Sequence, residues 1–217
     1  MYRSELFRTL RSLLPRFLKA MGIAAGLGLS AAGCSSGPAP TTYDLSAATA
    51  RVRGGVSGQV VVAEPAAVQV LSNQQIIVKD ATGTISFLGS AQWADALPRL
   101  VQARLIHTFE NSSLIRAVTR PSSGAVADVQ LVSEIRSFEI QTPANEAVVQ
   151  LSAKLVNERN GRIYNGRIFT RRVPVAAVDA PNAARALDAA LSGLMLDVVR
   201  WVSGSSMPPT PTESAAS

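Results

Sequence analysis

The chain contains a single cysteine, Cys34, and the residues before it point to a defined chemistry. Ala31, Ala32 and Gly33 are small, so a peptidase could reach an extended backbone here and cut before the cysteine. Cleavage would place Cys34 at a new N-terminus, where its thiol could accept a lipid. No second cysteine exists to form a disulfide framework. The spacing therefore predicts lipidation at Cys34, with Ala31, Ala32 and Gly33 as the cleavage flank.

The segment before Cys34 has the organisation of a secretory signal. Residues 1–19 are basic, and residues 20–32 are thirteen small or apolar residues without a charge. A membrane-spanning helix needs about 20 apolar residues, so this stretch fits the apolar region of a signal peptide better. Together with the cysteine it resembles the bacterial lipobox, with Ala31 where leucine is usual. The alternative, a buried structural cysteine beside a signal-anchor helix, is disfavoured by the polar tether at 35–40.

The pattern predicts four segments: a lipoprotein signal peptide at 1–33, a lipidated tether at 34–42, one folded domain over 43–203 and a disordered tail at 204–217. A diacylglycerol and an amide-linked acyl chain on Cys34 would give the multi-chain attachment that stable anchoring requires. Ser35 follows the cysteine where an aspartate would favour inner-membrane retention in Gram-negative bacteria. We therefore expect an outer-membrane lipoprotein whose domain lies in the periplasm.

The charge of the chain is concentrated where the mature protein would lose it. The 217 residues carry a formal net charge of +6, but residues 1–33 hold five basic residues against one acidic residue. The remainder has 16 basic and 14 acidic residues, so the basic balance does not indicate a nucleic-acid partner. With 47% hydrophobic residues, the chain can bury a core.

Side chains suited to catalysis are scarce. His107 is the sole histidine and is expected to be a partly exposed helix residue, and acylation would consume Cys34. Carboxylates alone rarely hold zinc. Glu134 and Glu139 are predicted on opposite faces of one strand, which makes a poor acid–base pair. The glycine-rich run 54–58 lacks the Lys-Ser/Thr of a phosphate loop. We therefore expect no enzyme, no metal and no cofactor.

One dense basic cluster surrounds a predicted hairpin and consists of Arg159, Arg162, Arg167, Arg171 and Arg172. It could contact an anionic lipid head group or an acidic partner protein. The alternative is a solvated hairpin face without a ligand. Nucleic acid is not expected as a partner of a periplasmic domain.

Strands dominate the predicted elements. Residues 146–157 alternate apolar and polar side chains, which is typical of a strand with one buried face. Asn160 and Gly161 form a strong hairpin-turn signal. The predicted strands are 41–45, 59–64, 75–79, 84–88, 114–118, 127–140, 146–157 and 162–173.

Two amphipathic helices are predicted between and after the strands. The first covers 91–111, and because Pro98 is tolerated well only in a first turn, the helix either begins near Leu97 or is kinked there. The second covers 182–202, with Asp179 or Asn182 as its N-cap. Its apolar stripe comprises Leu187, Leu191, Leu194, Val198 and Trp201. This order predicts an α+β fold, a mainly antiparallel sheet with both helices packed on one face.

Three features, in their order, resemble the ABC-type transport auxiliary lipoproteins: the lipobox, Tyr43-Asp44-Leu45 after the tether, and the run QWADALPRL at 92–100. In that family a Tyr-x-Leu strand follows the lipidated cysteine. A Trp-x-(Asp/Glu)-x-Leu helix start then precedes alternating strands and a C-terminal amphipathic helix. The resemblance covers about 34–203, and Trp93 and Leu97 match it as markers of the fold.

The resemblance implies an accessory role in MCE-type (mammalian cell entry) lipid transport, including the paraquat-inducible system. It implies a non-catalytic periplasmic subunit, anchored in the outer membrane, that docks the MCE-domain protein of an inner-membrane ABC transporter. The exposed faces of the long hairpin strands would be the docking surface, and an unpaired strand edge could support a homo-oligomer. A lone lipid-binding carrier and a lipoprotein regulator of a cell-wall enzyme remain as alternatives.

Overall fold

The computed structural model describes residues 39–49, 56–121 and 127–205. This part of the chain contains two α-helices, α1 (Leu97–Ser112) and α2 (Ala180–Gly204), and a short 3-10 turn at Gln69–Leu71. Its strands are β1 (Thr41–Tyr43), β2 (Val56–Val62), β3 (Ala66–Ala67), β4 (Gln75–Lys79), β5 (Ile85–Trp93), β6 (Ile115–Thr119), β7 (Val129–Gln141), β8 (Glu146–Asn157) and β9 (Ile163–Pro174).

Strand β7 organises the sheet because both of its edges are used. Along one edge it pairs antiparallel with β8 over its whole length, and β8 pairs antiparallel with β9. Along the other edge β2, β3 and β4 pair with it in parallel, one after another. Beyond these, β6 joins β2, while β5 joins β4 and carries β1. The result is one mixed sheet in which β8 and β9 lie on one side of β7 and the other described strands lie on its opposite side.

The α+β fold predicted from the sequence is confirmed, and the antiparallel part of the sheet is the β7–β8–β9 meander with the β4–β5 hairpin. Strands β1, β2, β3 and β6 pair in parallel instead, and β4 pairs with β7 in parallel. Alternation within a strand reports which of its faces is buried but not the direction of its neighbour. Parallel neighbours are distant in sequence, so no turn signal marks them.

The boundaries of the two helices differ in how well the sequence predicted them. The prediction of a helix from residue 91 is wrong, because β5 continues to Trp93, where it pairs with Tyr43 of β1. The alternative start at Leu97 is confirmed, with Pro98 in the first turn, where its missing N–H costs no helical hydrogen bond. Helix α2 is longer than predicted by two residues at each end.

A shift in the pairing of β7 with β8 overturns one expectation about carboxylates. Between Ile135 and Ser137 the register moves by one residue, which resets the alternation of side chains. Glu134 and Glu139 therefore face the same side of the sheet, and the prediction of opposite faces is wrong. They still form no acid–base pair, because Glu134 lies 3.9 Å from Arg136, and Glu139 is hydrogen-bonded within β7.

The core lies between the sheet and the two helices. Four of the five residues of the predicted stripe of α2 are confirmed as buried, because its three leucines and Val198 are at most 1% exposed, whereas Trp201 is only partly buried. Across the sheet, the Trp93 and Phe138 rings meet edge to face with centroids 5.7 Å apart. Burying each large apolar side chain contributes about 1.5–3 kcal/mol, so this layer supplies much of the stability.

The start of α2 is fixed by a side-chain cap. Asp179, one of the two predicted caps, accepts a hydrogen bond from the backbone N–H of Asn182 at 2.9 Å. Its second carboxylate oxygen accepts from the Asn182 side-chain amide at 2.8 Å. These hydrogen bonds lower the pKa of Asp179 below its ordinary value of 3.8.

Truncation of a buried leucine should test the core. Leu194→Ala should lower the free energy of unfolding by about 2–5 kcal/mol, because it leaves a cavity between α2 and the sheet. Leu196→Ala is the matched control on the same helix, where the side chain is only partly buried and the loss should be smaller. Urea denaturation of both variants measures the difference. Equal losses would contradict the assignment of the buried face.

Acid should weaken the cap of α2. Because the pKa of Asp179 is lower in the folded state, its stabilisation is complete above 3.8 and disappears as pH falls through the folded value. The melting temperature of wild type should therefore fall more between about pH 5 and about pH 3 than that of Asp179→Asn, which keeps a capping oxygen without the charge. The same acid dependence in both proteins would refute this role.

Candidate docking site

An open groove of about 620 Å³ lies between strand β9 and the C-terminal part of α2. Residues 167–171 line it on the strand side, and Asp197, Arg200 and Trp201 line it on the helix side. Register with β8 places Arg167, Phe169 and Arg171 opposite buried residues, so their side chains lie on the sheet face that the helices cover. Residues of one face of an edge strand therefore meet the end of a helix here.

Asp197 holds two arginines of the groove through one carboxylate. The Arg171 Nε donates a hydrogen bond to Asp197 Oδ2 at 2.8 Å, and its Nη2 lies 2.5 Å from the same oxygen. The Arg200 Nη1 lies 3.5 Å from the other oxygen, Oδ1, one turn along the helix. The Arg171–Asp197 contact is a two-nitrogen pair and thus orients the guanidinium better than a single contact would.

Two aromatic rings support the third arginine. Phe169 is buried and packs edge to face against Trp201, with ring centroids 5.5 Å apart. The Arg167 guanidinium carbon lies 5.2 Å from the centre of the Phe169 ring, within the range of a cation–π contact. Arg167 forms no ion pair with any described residue. Three guanidinium groups against one carboxylate give the groove a positive potential.

The structure divides the basic cluster that the sequence suggested. Arg167 and Arg171 line the groove, whereas Arg172 lies on the opposite face of β9, 3.2 Å from Glu146. Arg159 lies 3.6 Å from Asp128 at the far end of the hairpin, and Arg162 is exposed beside the turn. The cluster is therefore not one surface.

Sequence reasoning missed Asp197, Arg200 and Trp201 as partners of β9. Trp201 was assigned to the core stripe of α2, yet it is only partly buried and lines the groove. The charged side chains on the flank of that stripe were the available signal, because they must lie at the boundary between core and solvent.

Other predicted chemistry can be placed on the described residues. His107 lies on α1, as predicted, and it is exposed there. No three histidine, cysteine or acidic side chains within the described ranges lie close enough together to hold a metal ion. No helix in these ranges is both long and apolar enough to cross a membrane. Cys34 and its flank Ala31, Ala32 and Gly33 lie outside the described residues, so lipidation stays a prediction.

Comparison with known proteins gives matches to sequence and to structure. Residues 43–199 match the family described as ABC-type transport auxiliary lipoprotein component. An uncharacterised protein of Bradyrhizobium diazoefficiens is 35% identical over 150 residues, which are 67% of this chain and 40% of that protein. The chain therefore spans well under half of that relative.

Two crystal structures share the fold. A protein of Xanthomonas campestris is 26% identical, with a TM-score of 0.70 over 75% of this chain and 95% of that one. An uncharacterised protein is 13% identical, with a TM-score of 0.61 over 76% of this chain and 99% of that one. The second similarity concerns the fold alone.

Gly193 lies under the Arg171 side chain and offers a test of this packing. A Cβ at this position would lie 3.7 Å from Arg171 Nε, an ordinary contact. Gly193→Ala should therefore raise the free energy of unfolding by about 0.5–1 kcal/mol, because alanine favours a helix interior. Gly161→Ala is the control and should destabilise, since Gly161 has a φ of +67°. Chemical denaturation measures both, and destabilisation by Gly193→Ala would show that Arg171 is packed more tightly than described.

Proposed function

Because the chain belongs to the family of ABC-type transport auxiliary lipoprotein components, we propose that it is the non-catalytic accessory subunit of an MCE-type ABC lipid transport system. Lipid on Cys34 would hold it at the periplasmic face of the outer membrane. From there it would dock the periplasmic MCE-domain protein of the inner-membrane transporter. Its contribution is positioning, and the lipid cargo would move through its partner.

The observation that carries the proposal is the filled interior of the domain. Trp93, Phe138, Leu194 and Met195 are each less than 2% exposed and fill the layer between helices and sheet. A carrier needs a largely apolar cavity of about 300–1,000 Å³ to bury a ligand. The groove beside β9 has that size, but it is open and lined by arginines. Function at the surface is therefore favoured over lipid carriage between helices and sheet.

The proposed anchor and the docking surface would act together. A lipid on Cys34 confines the domain to one membrane and raises its effective concentration beside a partner that reaches that membrane. A docking contact that is weak in solution can then be occupied. In this arrangement the domain would serve the transporter by position and not by catalysis. Ser35, at the position that directs sorting, supports placement in the outer membrane.

Recovery of the transporter with the tagged protein should test this function. A tag after residue 217 on the full chain should recover an MCE-domain protein and ABC transporter subunits from detergent-solubilised membranes. Cys34→Ala should reduce that recovery by about tenfold or more, because it removes the anchor and its effective concentration. Ser36→Ala, in the same tether, is the matched control and should behave as wild type.

Two outcomes would overturn the proposal. If lipidated, folded wild type recovers no transporter subunit, the protein is not part of such a system. If the purified domain instead holds close to one lipid per chain by mass spectrometry, it acts as a carrier. A shift of Ser35→Asp, but not of wild type, to inner-membrane fractions would support the proposed outer-membrane location.

A further inference from the structure

We propose that the open edge of β9 and the adjoining groove bind an extended acidic segment of a partner protein as an added β-strand. The inference deepens the docking function and rests on it, because such a segment must come from a protein that reaches the domain. It assigns the contact to one strand edge, whereas the sequence suggested the exposed faces of the hairpin strands. β9 pairs with β8 alone among the described strands, so its outer edge is open.

The alternation of hydrogen-bonded and non-hydrogen-bonded pairs between β8 and β9 shows which backbone groups of β9 point to its open edge. The Val175 N–H donates to the Asn145 carbonyl at 2.7 Å, which marks this opposed pair as hydrogen-bonded. In an antiparallel ladder such pairs alternate with pairs whose backbone groups point outward. Every second residue of β9 before Val175 forms a hydrogen-bonded pair with β8. The N–H and C=O groups of the residues between them, Ile168, Thr170 and Arg172, therefore point away from β8.

The position of Pro174 is consistent with this alternation, and Pro174 limits the length of edge that a partner strand could use. It falls at an outward-facing position, where a missing N–H costs the ladder nothing. A strand added beside β9 would therefore pair over about 166–172 and stop at Pro174. Within this stretch Ile168 is 53% exposed, which leaves an apolar side chain beside unpaired backbone groups. The edge thus offers both hydrogen bonds and apolar area to a partner strand.

The charges of the groove determine which side chains the added strand should carry. Alternate residues of that strand would lie beside Arg167, Phe169 and Arg171 on the groove side. Arg167 has no acidic partner among the described residues, and Asp197 is shared between Arg171 and Arg200. Cross-strand pairs of opposite charge stabilise a sheet. Acidic residues four positions apart would therefore match the two arginines of the groove, with apolar residues beside Ile168.

Two other occupants fit less well. A second copy pairing through β9 would bring arginine-rich edges together, and like charges opposite each other destabilise strand pairs. An anionic lipid head group could contact the guanidinium groups but would leave the outward N–H and C=O groups of Ile168 and Thr170 without strand partners. An acidic protein segment satisfies both the charges and the backbone.

Site-specific photo-crosslinking on the full, membrane-attached chain tests the inference. A photoreactive residue in place of Ile168 should crosslink to a partner peptide with two acidic residues four positions apart, as read by mass spectrometry. The same residue in place of Ile85, also exposed on a strand, is the position control and should not capture that peptide. Capture of the acidic peptide at position 168 alone would support the inference.

Two groups of variants separate strand addition from simple charge attraction. Thr170→Pro removes an outward N–H without breaking the β8 ladder and should lower the crosslink by about tenfold. Thr170→Val is its control, because it loses the hydroxyl that Gln150 contacts but keeps the N–H. Arg167→Glu should lower the crosslink to a similar extent, whereas Arg185→Glu, on an exposed part of α2, should not. If Thr170→Pro does not fold, the Arg167→Glu comparison still tests the charge requirement, and equal crosslinking of Arg167→Glu and Arg185→Glu would overturn the inference.

Each result has a defined meaning. A crosslink from position 168 to a second copy, to lipid or to residues 206–217 of the same chain would overturn the inference, and so would the absence of any crosslink. If the tagged protein still recovers the transporter in those cases, the docking function stands with its contact elsewhere. Capture of an acidic segment without recovery of a transporter would support the strand-addition site and overturn the transport function.

Discussion

Backbone hydrogen bonding along β7 is the constraint on which the rest of the molecule depends. This 13-residue strand must have partners on both edges, because its apolar face is buried and unpaired backbone groups there would be costly. A single long neighbour, β8, meets that need on one side. On the other side three short strands divide the edge between them. Most of the N-terminal half of the domain is therefore joined to the meander through β7.

The same arrangement explains why the charged groove lies at the edge of the domain and not in its interior. Helix α2 covers the meander with a continuous apolar stripe, so the interior between them consists of packed, buried apolar side chains. Its flank meets β9, the last strand of the meander, where one buried ring and three arginines come together. The groove forms where the C-terminal end of α2 packs against the edge strand β9. Its charge, however, depends on particular residues of both elements.

Much of this fold could be predicted from local pattern. Strand β8 and helix α2 have strict alternation and a continuous apolar stripe, respectively, and their buried faces were predicted correctly. Three features could not be predicted from local pattern. The parallel partners of β7 come from segments that are distant in sequence. The register shift at Ile135–Ser137 has no glycine or proline to mark it. Asp197 contacts Arg171, which lies 26 residues away in the sequence. Each depends on tertiary packing that no single window of sequence contains.

Positive charge on β9 satisfies two requirements that usually conflict. An open strand edge invites association with other chains, and natural proteins protect such edges with charges. Lysine or arginine on an edge disfavours pairing with an identical edge, yet it leaves pairing with an acidic strand favourable. Asp197 reduces the repulsion between like edges, because it neutralises part of the positive charge while it holds Arg171 and Arg200 in place. Selectivity for an acidic partner and protection against self-association can therefore arise from the same arginines, provided that the edge remains unpaired until the partner arrives.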